Sequence, residues 1–242
     1  MPEQFIPVNL PSKCLPYSGV KSEDIQVRPY NGEDELILAQ INPANLERNF
    51  LLVLNRVVKG IDPKNLTLGD RFYLIIFEYI NSFCEMIKTQ GTCSHCLSPV
   101  DFSVDLRKLN VVTLPDDYKQ PVPVTLPSGK VVNLRLLTVA DEIEIEKYQQ
   151  QVGDAYLYRW ARSIDGCDPV KTAIEMRSWS TKDTARLRLF HEQMDHGPAT
   201  SIIIPCPKCG QEEDVSVPFR LDLFLPVGSA LRNCFREGIS TV

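Results

Sequence analysis

Four cysteines are the residues of this chain whose type and spacing could do chemistry. Cys93 and Cys96 form one Cys-x-x-Cys pair in GTCSHCLSPVDF, and Cys206 and Cys209 form another in IIIPCPKCGQEEDV. We call residues 93–96 the first knuckle and residues 206–209 the second knuckle. Two such turns can supply four thiolates to one tetrahedral ion, and sulfur ligands at ~2.3 Å favour Zn²⁺. The sequence therefore predicts one structural zinc site that both knuckles share.

Two other cysteine chemistries remain open at this point. A Cys-x-x-Cys pair can be a redox centre, because the spacing lowers a thiol pKa, and iron–sulfur clusters also use thiolates. Two equivalent pairs, each leading into a strand-like stretch, favour a metal, and cluster-binding runs are usually denser in cysteine. We interpret His95 as a solvent-facing loop residue, not a ligand. Leu97 stands where the second knuckle has Gly210, so we expect a looser first knuckle.

The segments before the two knuckles are also alike. A shift of 113 residues, which carries Cys93 onto Cys206, lays LTLGDRFYLIIF on WSTKDTARLRLF. Thr67 and Ser180 each precede an aspartate by three residues, which predicts a capping box whose carboxylate reaches back to the N-cap. The matched positions of the two predicted helices are Asp70 and Asp183, Leu74 and Leu187, and Phe77 and Phe190.

The likeness extends upstream, where LPYSGVKSEDIQVRPYNGEDELIL (15–38) matches LPSGKVVNLRLLTVADEIEI (126–145). We therefore predict an α+β fold of two duplicated helix and strand repeats clasped by one shared zinc-ribbon site. Chance similarity between two α+β segments is the alternative. The predicted divisions are an N-terminal arm without a core role (1–14), a first repeat (15–117), a second repeat (118–226) and a C-terminal tail or short helix (227–242).

The remaining residues give little sign of catalysis. The acidic run from Asp141 to Glu146 falls at a predicted helix N-terminus, where the macrodipole favours carboxylates, so we assign it a structural role. His191 and His196 are predicted on a solvated helix face. No phosphate-binding glycine loop or nucleophile motif is present. We predict that the protein is not an enzyme.

Composition and charge limit the classes of partner that this chain is expected to bind. The chain is 43% hydrophobic and 24% charged, with a formal net charge of −5, and it contains no run of ~18 uncharged apolar residues that could span a membrane. MPEQFIPVNL lacks the features of a signal peptide, so we expect a reducing cytoplasm. A zinc-ribbon nucleic-acid-binding adaptor is the alternative function, with Arg159, Arg162 and Arg186 as its contacts. Interleaved acids disfavour it.

The ordered set of motifs resembles a known family. VRPYNGEDELILAQ is followed by LTLGDRFYLIIFEYI, then by CSHC and FSVDL, and near the end by IIIPCPKCGQEEDVSVPFRLDLFLP. This order, over about residues 15 to 225, is similar to the baseplate hub assembly family of T-even-type contractile-tailed phages.

The resemblance implies a protein of the virion tail baseplate, present in the host cytoplasm during assembly. It implies action by binding other tail or hub proteins, among them the tape-measure protein, and multiple copies in the baseplate. Either a structural subunit that stays in the virion or a chaperone that leaves would fit. We expect the N-terminal arm and SALRNCFREGI, with Leu231 and Phe235 on one helical face, to dock onto neighbours.

Overall fold

The computed structural model describes residues 4–41 and 45–217, and within them the fold is α+β, as the sequence predicted. The helices are α1 (Gly32–Leu38), α2 (Leu46–Val57), α3 (Leu68–Ser82), α4 (Val139–Val152), α5 (Tyr156–Arg162), α6 (Pro169–Glu175) and α7 (Thr181–Gln193). The strands are β1 (Ile6–Pro7), β2 (Gln26–Val27), β3 (Val58–Lys59), β4 (Met86–Thr92), β5 (Pro99–Asp105), β6 (Val111–Val112), β7 (Val122–Thr125), β8 (Val131–Leu134), β9 (Gly197–Pro198), β10 (Ser201–Pro205) and β11 (Glu212–Ser216).

All of these strands pair antiparallel, in one three-stranded sheet of order β1-β2-β3 and four two-stranded sheets. The hairpins β4–β5 and β10–β11 carry the two knuckles at their tips. Along β5, Val100, Phe102 and Val104 are buried while the residues between them are exposed. This period of two places one face of the hairpin against the core and the other in solvent.

The two predicted capped helices are present as α3 and α7. Thr67 and Ser180 are their N-caps, and each hydroxyl accepts a hydrogen bond from the backbone N–H three residues on, at 3.4 and 3.1 Å. On the faces that pack inward, Leu74, Leu187 and Phe190 are buried and Phe77 is half-buried. The apolar pairs read from the sequence therefore do position these helices on the core.

The carboxylates of these caps bind different groups from those predicted. Neither reaches the N-cap amide: Asp70 accepts a hydrogen bond from the backbone N–H of Ser12 at 2.9 Å, and Asp183 accepts one from the backbone N–H of Ser128 at 2.9 Å. Asp183 does reach back to its N-cap residue, because it also accepts a hydrogen bond from the Ser180 hydroxyl at 2.8 Å. Each aspartate thereby ties its helix to a distant turn. Reciprocal capping boxes occur instead at the starts of α1 and α4.

The expectation that residues 1–14 have no core role is wrong for the part described. Val8 and Leu10 are buried, and β1 pairs with β2. Burial of these apolar side chains stabilises the fold, whereas an extended arm would leave them exposed to water. The turn Leu10-Pro11-Ser12 closes with a backbone hydrogen bond of 2.9 Å from Lys13 to Leu10, and Leu126-Pro127-Ser128 closes with one of 2.8 Å from Gly129 to Leu126. The turn at residues 10–12 therefore closes in the same way as the turn at residues 126–128, which the sequence comparison had matched with residues 15–18.

Backbone contacts downstream of these turns also occur in matching places. Ile6 pairs with Val27 in the first half of the chain, and Val122 pairs with Leu134 in the second. Arg28 N donates to Val57 O at 3.1 Å, and Arg135 N donates to Ser163 O at 2.9 Å. In each half, the residue that follows β2 or β8 is therefore held by the end of the second helix after it, at the last residue of α2 or the residue after α5.

Buried apolar side chains form two main clusters, one in each half. The β10–β11 hairpin belongs to the first, because Val215 and Val217 pack there together with Cys93 and Cys206. The start of α4 is also attached to the first half, since Val139 N donates to Leu66 O at 2.9 Å. The C-terminal helix predicted with Leu231 and Phe235 lies outside the described residues.

Candidate metal centre

The first knuckle is held by the end of the β4–β5 hairpin, where Thr92 pairs with Pro99. Cys93 N donates to Ser98 O at 3.1 Å, and Leu97 N donates back to Cys93 O at 3.0 Å. Leu97 has φ 54°, in the left-handed region that non-glycine residues rarely adopt. The turn that presents the cysteine side chains therefore forces a leucine into a conformation suited to glycine.

The second knuckle repeats this geometry at the end of β10–β11. Cys206 N donates to Gln211 O at 2.8 Å, and Gly210 N donates to Cys206 O at 2.9 Å. Gly210 has φ 75°, at no steric cost. Both turns make the same pair of backbone hydrogen bonds, and both bonds are longer in the first knuckle, where Leu97 is strained. A looser first knuckle stays a prediction.

The four cysteine sulfurs form one compact cluster. Cys93 Sγ lies 3.8 Å from Cys209 Sγ, and Cys96 Sγ lies 4.0 Å from Cys206 Sγ. All four sulfurs lie within 4.8 Å of one another. In a tetrahedral site with metal–sulfur bonds of ~2.3 Å, the sulfurs are about 3.8 Å apart, whereas a disulfide needs ~2.05 Å. The spacing thus fits four ligands around one ion and does not fit two disulfides.

The pKa values of the cysteine thiols are also consistent with a cation bound between the four sulfurs. The backbone N–H of Ser98, helped by its hydroxyl, lowers the pKa of Cys96 to about 6. The pKa of Cys93 is raised to about 12: hydrogen bonds from the backbone of Cys96 favour its thiolate, but burial and neighbouring thiols outweigh them. Several thiolate charges so close together repel one another. A divalent ion removes that repulsion, so the cluster could hold a metal of soft-ligand preference.

The two knuckles also contact each other beside the sulfurs. Ser94 donates to Glu213 Oε2 through its backbone N–H at 2.9 Å and through its hydroxyl at 3.1 Å. His95 Nε2 lies 3.1 Å from Glu212 O, which can only accept, so Nε2 carries the proton. His95 is exposed and lies outside the sulfur cluster. These contacts, which sequence reasoning missed, fix the second hairpin against the first.

A buried aspartate organises the start of the helical region in each half. Asp34 accepts hydrogen bonds from Arg28 and Arg56, both at 2.6 Å. In the second half, Asp141 accepts hydrogen bonds from Arg135 at 2.6 Å and from Arg162 Nε at 2.9 Å. Burial opposes ionisation of Asp141, but the two arginines and the backbone N–H of Thr138 lower its pKa to about 2. The structural role predicted for the acidic run is confirmed for Asp141.

The arginines considered for nucleic acid are partly engaged within the protein. Arg159 forms a two-pronged ion pair with Glu142, at 2.5 and 2.6 Å, and Arg162 binds Asp141. Each of these side chains is about one-third exposed or less, at 35% and 22%. Paired and half-buried guanidinium groups have little capacity left for phosphates.

The prediction that His191 and His196 lie on a solvated helix face is wrong. His196 is buried, with Nε2 2.7 Å from Thr67 Oγ1 and Nδ1 3.0 Å from Met194 O. A Cβ on Gly69 would lie 2.1 Å from the backbone oxygen of His196, so the close approach requires glycine. His191 is half-buried, and burial, with the charges of Arg159 and Arg135, lowers its pKa to about 4.

No helix among the described residues has the length and apolar character needed to cross a membrane. The family model described as "T4 bacteriophage base plate protein" matches residues 11–165, which include the first knuckle and both buried aspartates. No curated protein and no solved structure matched the chain. The family match covers more than half of the sequence and confirms the resemblance seen in the motifs: the chain belongs to the T4 bacteriophage base plate protein family.

Proposed function

We propose that this protein acts at the tail baseplate hub by binding other tail proteins, as a rigid body clasped by one structural zinc ion. The arrangement of Cys93, Cys96, Cys206 and Cys209 around a single centre is the observation that carries the proposal. When bound, zinc would crosslink the two hairpins. Four sulfur ligands leave no open coordination position for a substrate or water, so the centre serves stability and not catalysis.

We propose that the two halves are duplicated copies. Matching turns, strand pairs and arginine–aspartate contacts support this, because chance similarity would not place the same bonds at the same points of both halves. On this proposal the first copy begins at β1, ahead of the boundary at residue 15 inferred from the sequence. An experimental structure would test it by superposition of residues 6–105 on residues 122–216. Failure of α3, α7 and the knuckles to overlay together would refute the duplication.

The role in the baseplate has two forms. A structural subunit remains in the virion, whereas an assembly chaperone holds a hub or tape-measure protein and then leaves. Quantitative mass spectrometry of purified phage particles distinguishes them: a fixed copy number per particle identifies a subunit, and presence only in infected-cell assembly intermediates identifies a chaperone. Absence from both particles and intermediates would contradict the proposed function.

The nucleic-acid adaptor is tested separately. Since Arg159 and Arg162 are engaged with carboxylates, we expect no gel shift of duplex or single-stranded DNA at micromolar protein and low salt. Tight binding that weakens steeply with added salt would favour the adaptor function instead.

A further inference from the structure

Cys84, at the end of α3, is a disulfide-bonded cysteine. It follows the last residue of α3 by two positions, and its Sγ lies 3.7 Å from the hydroxyl of Tyr79 on that helix. The other cysteines of the described residues are free thiols, and they are Cys14, Cys93, Cys96, Cys167, Cys206 and Cys209. Since the chain contains eight cysteines, Cys234 is the one that remains as a partner within the chain.

An apolar groove of about 150 Å³ lies along the same helix. Side chains from α3 and from the β6–β9 pair line it, among them Tyr73, Ile76, Phe77, Ile80, Val111 and Pro198. Among the described lining residues only Arg107 is charged, and it forms an ion pair with Asp105 at 2.9 Å. An apolar cavity of about 150 Å³ can hold a benzene-sized group. The groove therefore has room for one phenylalanine side chain.

The last described residue lies close to this groove. In the β10–β11 hairpin, Ser201 pairs with Ser216, and Val217 N donates to Thr200 O at 2.8 Å. Extension of this antiparallel register by two residues would bring Phe219 opposite Pro198, which lines the groove. The register therefore directs the chain towards the groove from the end that Pro198 forms.

The sequence beyond Val217 has the side-chain pattern that such a path needs. Val215 and Val217 are buried in the core cluster of the first half. The apolar residues that follow at every second position are Phe219, Leu221, Leu223 and Leu225. Because successive side chains of a strand point to opposite faces, the pattern predicts Phe219 on the face of the two buried valines and Phe224 on the other face.

The chain is also long enough to join the groove to Cys84. Residues 218–233 connect Val217 to Cys234, and an extended chain of this length reaches ~50 Å. Along α3, the distance from Tyr73 to the end of the helix is only ~14 Å. A segment that enters the groove beside Pro198 can therefore still reach Cys84.

We infer that residues 219–234 cover the groove along α3, with Phe219 as the side chain that fills it, and that a Cys84–Cys234 disulfide fastens this segment to the end of the helix. This inference places against the chain's own α3 a segment that the sequence alone predicted to dock onto neighbours. It concerns contacts within one chain and does not depend on the baseplate role.

Formation of the bond is an oxidation, and a small-molecule disulfide such as oxidised glutathione can supply the oxidant. One protein thiolate attacks a glutathione sulfur and displaces the first glutathione thiolate; the second protein thiolate attacks the mixed disulfide and displaces the other. The two cysteine thiols lose two protons and two electrons, and oxidised glutathione becomes two thiols. In a reducing cytoplasm the bond is therefore open and apolar contacts alone hold the segment.

The test uses the zinc-loaded full chain, incubated with oxidised glutathione, alkylated with N-ethylmaleimide, unfolded and digested with trypsin. The digest leaves Cys84 in residues 72–88 and Cys234 in residues 233–236, with no second cysteine in either peptide. Mass spectrometry should detect these two peptides linked, and dithiothreitol should separate them. Cys167→Ser is the matched control, because Cys167 is a half-buried free thiol and its loss should leave the link unchanged.

The docking in the groove is measured as the ratio of linked to open chain at a fixed ratio of reduced to oxidised glutathione. Phe219→Ser should lower this ratio about tenfold, because a docked segment holds Cys234 at a higher effective concentration near Cys84. Phe224→Ser, on the opposite predicted face, should change it little. Val111→Glu alters the groove at a side chain that is 39% exposed and should also lower the ratio about tenfold. Circular dichroism and zinc content check that each variant is folded.

Three results would overturn the inference. Absence of the linked peptides after oxidation would refute the disulfide, and so would a link from Cys84 to a second copy of the chain, which a non-reducing gel shows as a dimer. An equal ratio of linked to open chain for wild type, Phe219→Ser and Val111→Glu would refute the docking in the groove.

Discussion

Replacing Glu78 by glutamine should stabilise this protein, by an amount that grows with pH. Glu78 lies on α3 with 0% exposure, and neither carboxyl oxygen has a hydrogen-bond partner of normal geometry among the described residues. Burial raises its pKa from 4.5 to about 9, even though the charge of Arg28 acts in the opposite direction. The folded protein therefore keeps Glu78 protonated at neutral pH, whereas the unfolded chain ionises it.

The sign and size of the effect follow from this difference in pKa. Between pH 4.5 and about 9, the unfolded state releases a proton that the folded state retains. Each pH unit above 4.5 then costs the folded state ~1.4 kcal/mol, which amounts to about 3 kcal/mol at pH 7. Glutamine cannot ionise and escapes this cost. The gain from Glu78→Gln should therefore be near zero at pH 4.5 and rise towards pH 8.

Urea unfolding of zinc-loaded wild type and variant at several pH values between 5 and 8 measures this gain. Glu175→Gln is the matched control, because Glu175 is exposed on α6 and its replacement should change stability little at any pH. A gain from Glu78→Gln that does not vary with pH, or a loss of stability at pH 8, would refute the reasoning.

Three further predictions concern stability. Leu97→Gly should stabilise the protein by about 0.5–1 kcal/mol, because glycine adopts φ 54° without strain, whereas Leu97→Ala should not; urea midpoints of both variants check this. Burial lowers the pKa of His191 to about 4, so the folded protein keeps this histidine neutral while the unfolded chain protonates it below pH 6.5. The free energy of unfolding of wild type should therefore fall by up to about 3 kcal/mol between pH 6.5 and 4. His191→Gln should lose less stability in an acid titration followed by circular dichroism. Leu10→Ala should cost about 2–5 kcal/mol, and removal of residues 1–13 should prevent folding; a truncated chain with an intact thermal transition would contradict the core role of β1 and the turn after it.

The sequence allowed prediction of those features whose signal is local. A hydroxyl three residues before an aspartate marks a helix start, so the N-caps Thr67 and Ser180 were predictable. The repeated Cys-x-x-Cys spacing likewise identified four cysteines, whose sulfur atoms the fold brings within 4.8 Å of one another. Identity with Leu126-Pro127-Ser128 could also have revealed the role of Leu10-Pro11-Ser12, but a second leucine–proline pair five residues later obscured it.

Features that depend on distant backbone atoms left no such signal. Asp70 binds the amide of Ser12, and any residue except proline could supply that amide. His196 is buried because Gly69 lets the chain approach closely, and neither residue alone predicts the contact. The left-handed conformation of Leu97 could not be expected from a leucine, since the hairpin and its hydrogen bonds impose it. Tertiary contacts overrode local preference at each of these positions.

The central claim is that one zinc ion is held jointly by the two knuckles, and the zinc-to-protein ratio of the reduced, purified protein tests it most directly. We expect about one zinc per chain by elemental analysis. Cys93→Ser and Cys206→Ser should each lower the ratio towards zero and destabilise the fold to a similar extent, because each removes one of four ligands of the same ion. Two zinc ions per chain, no zinc in the reduced protein, or full zinc content in either variant would contradict the shared site.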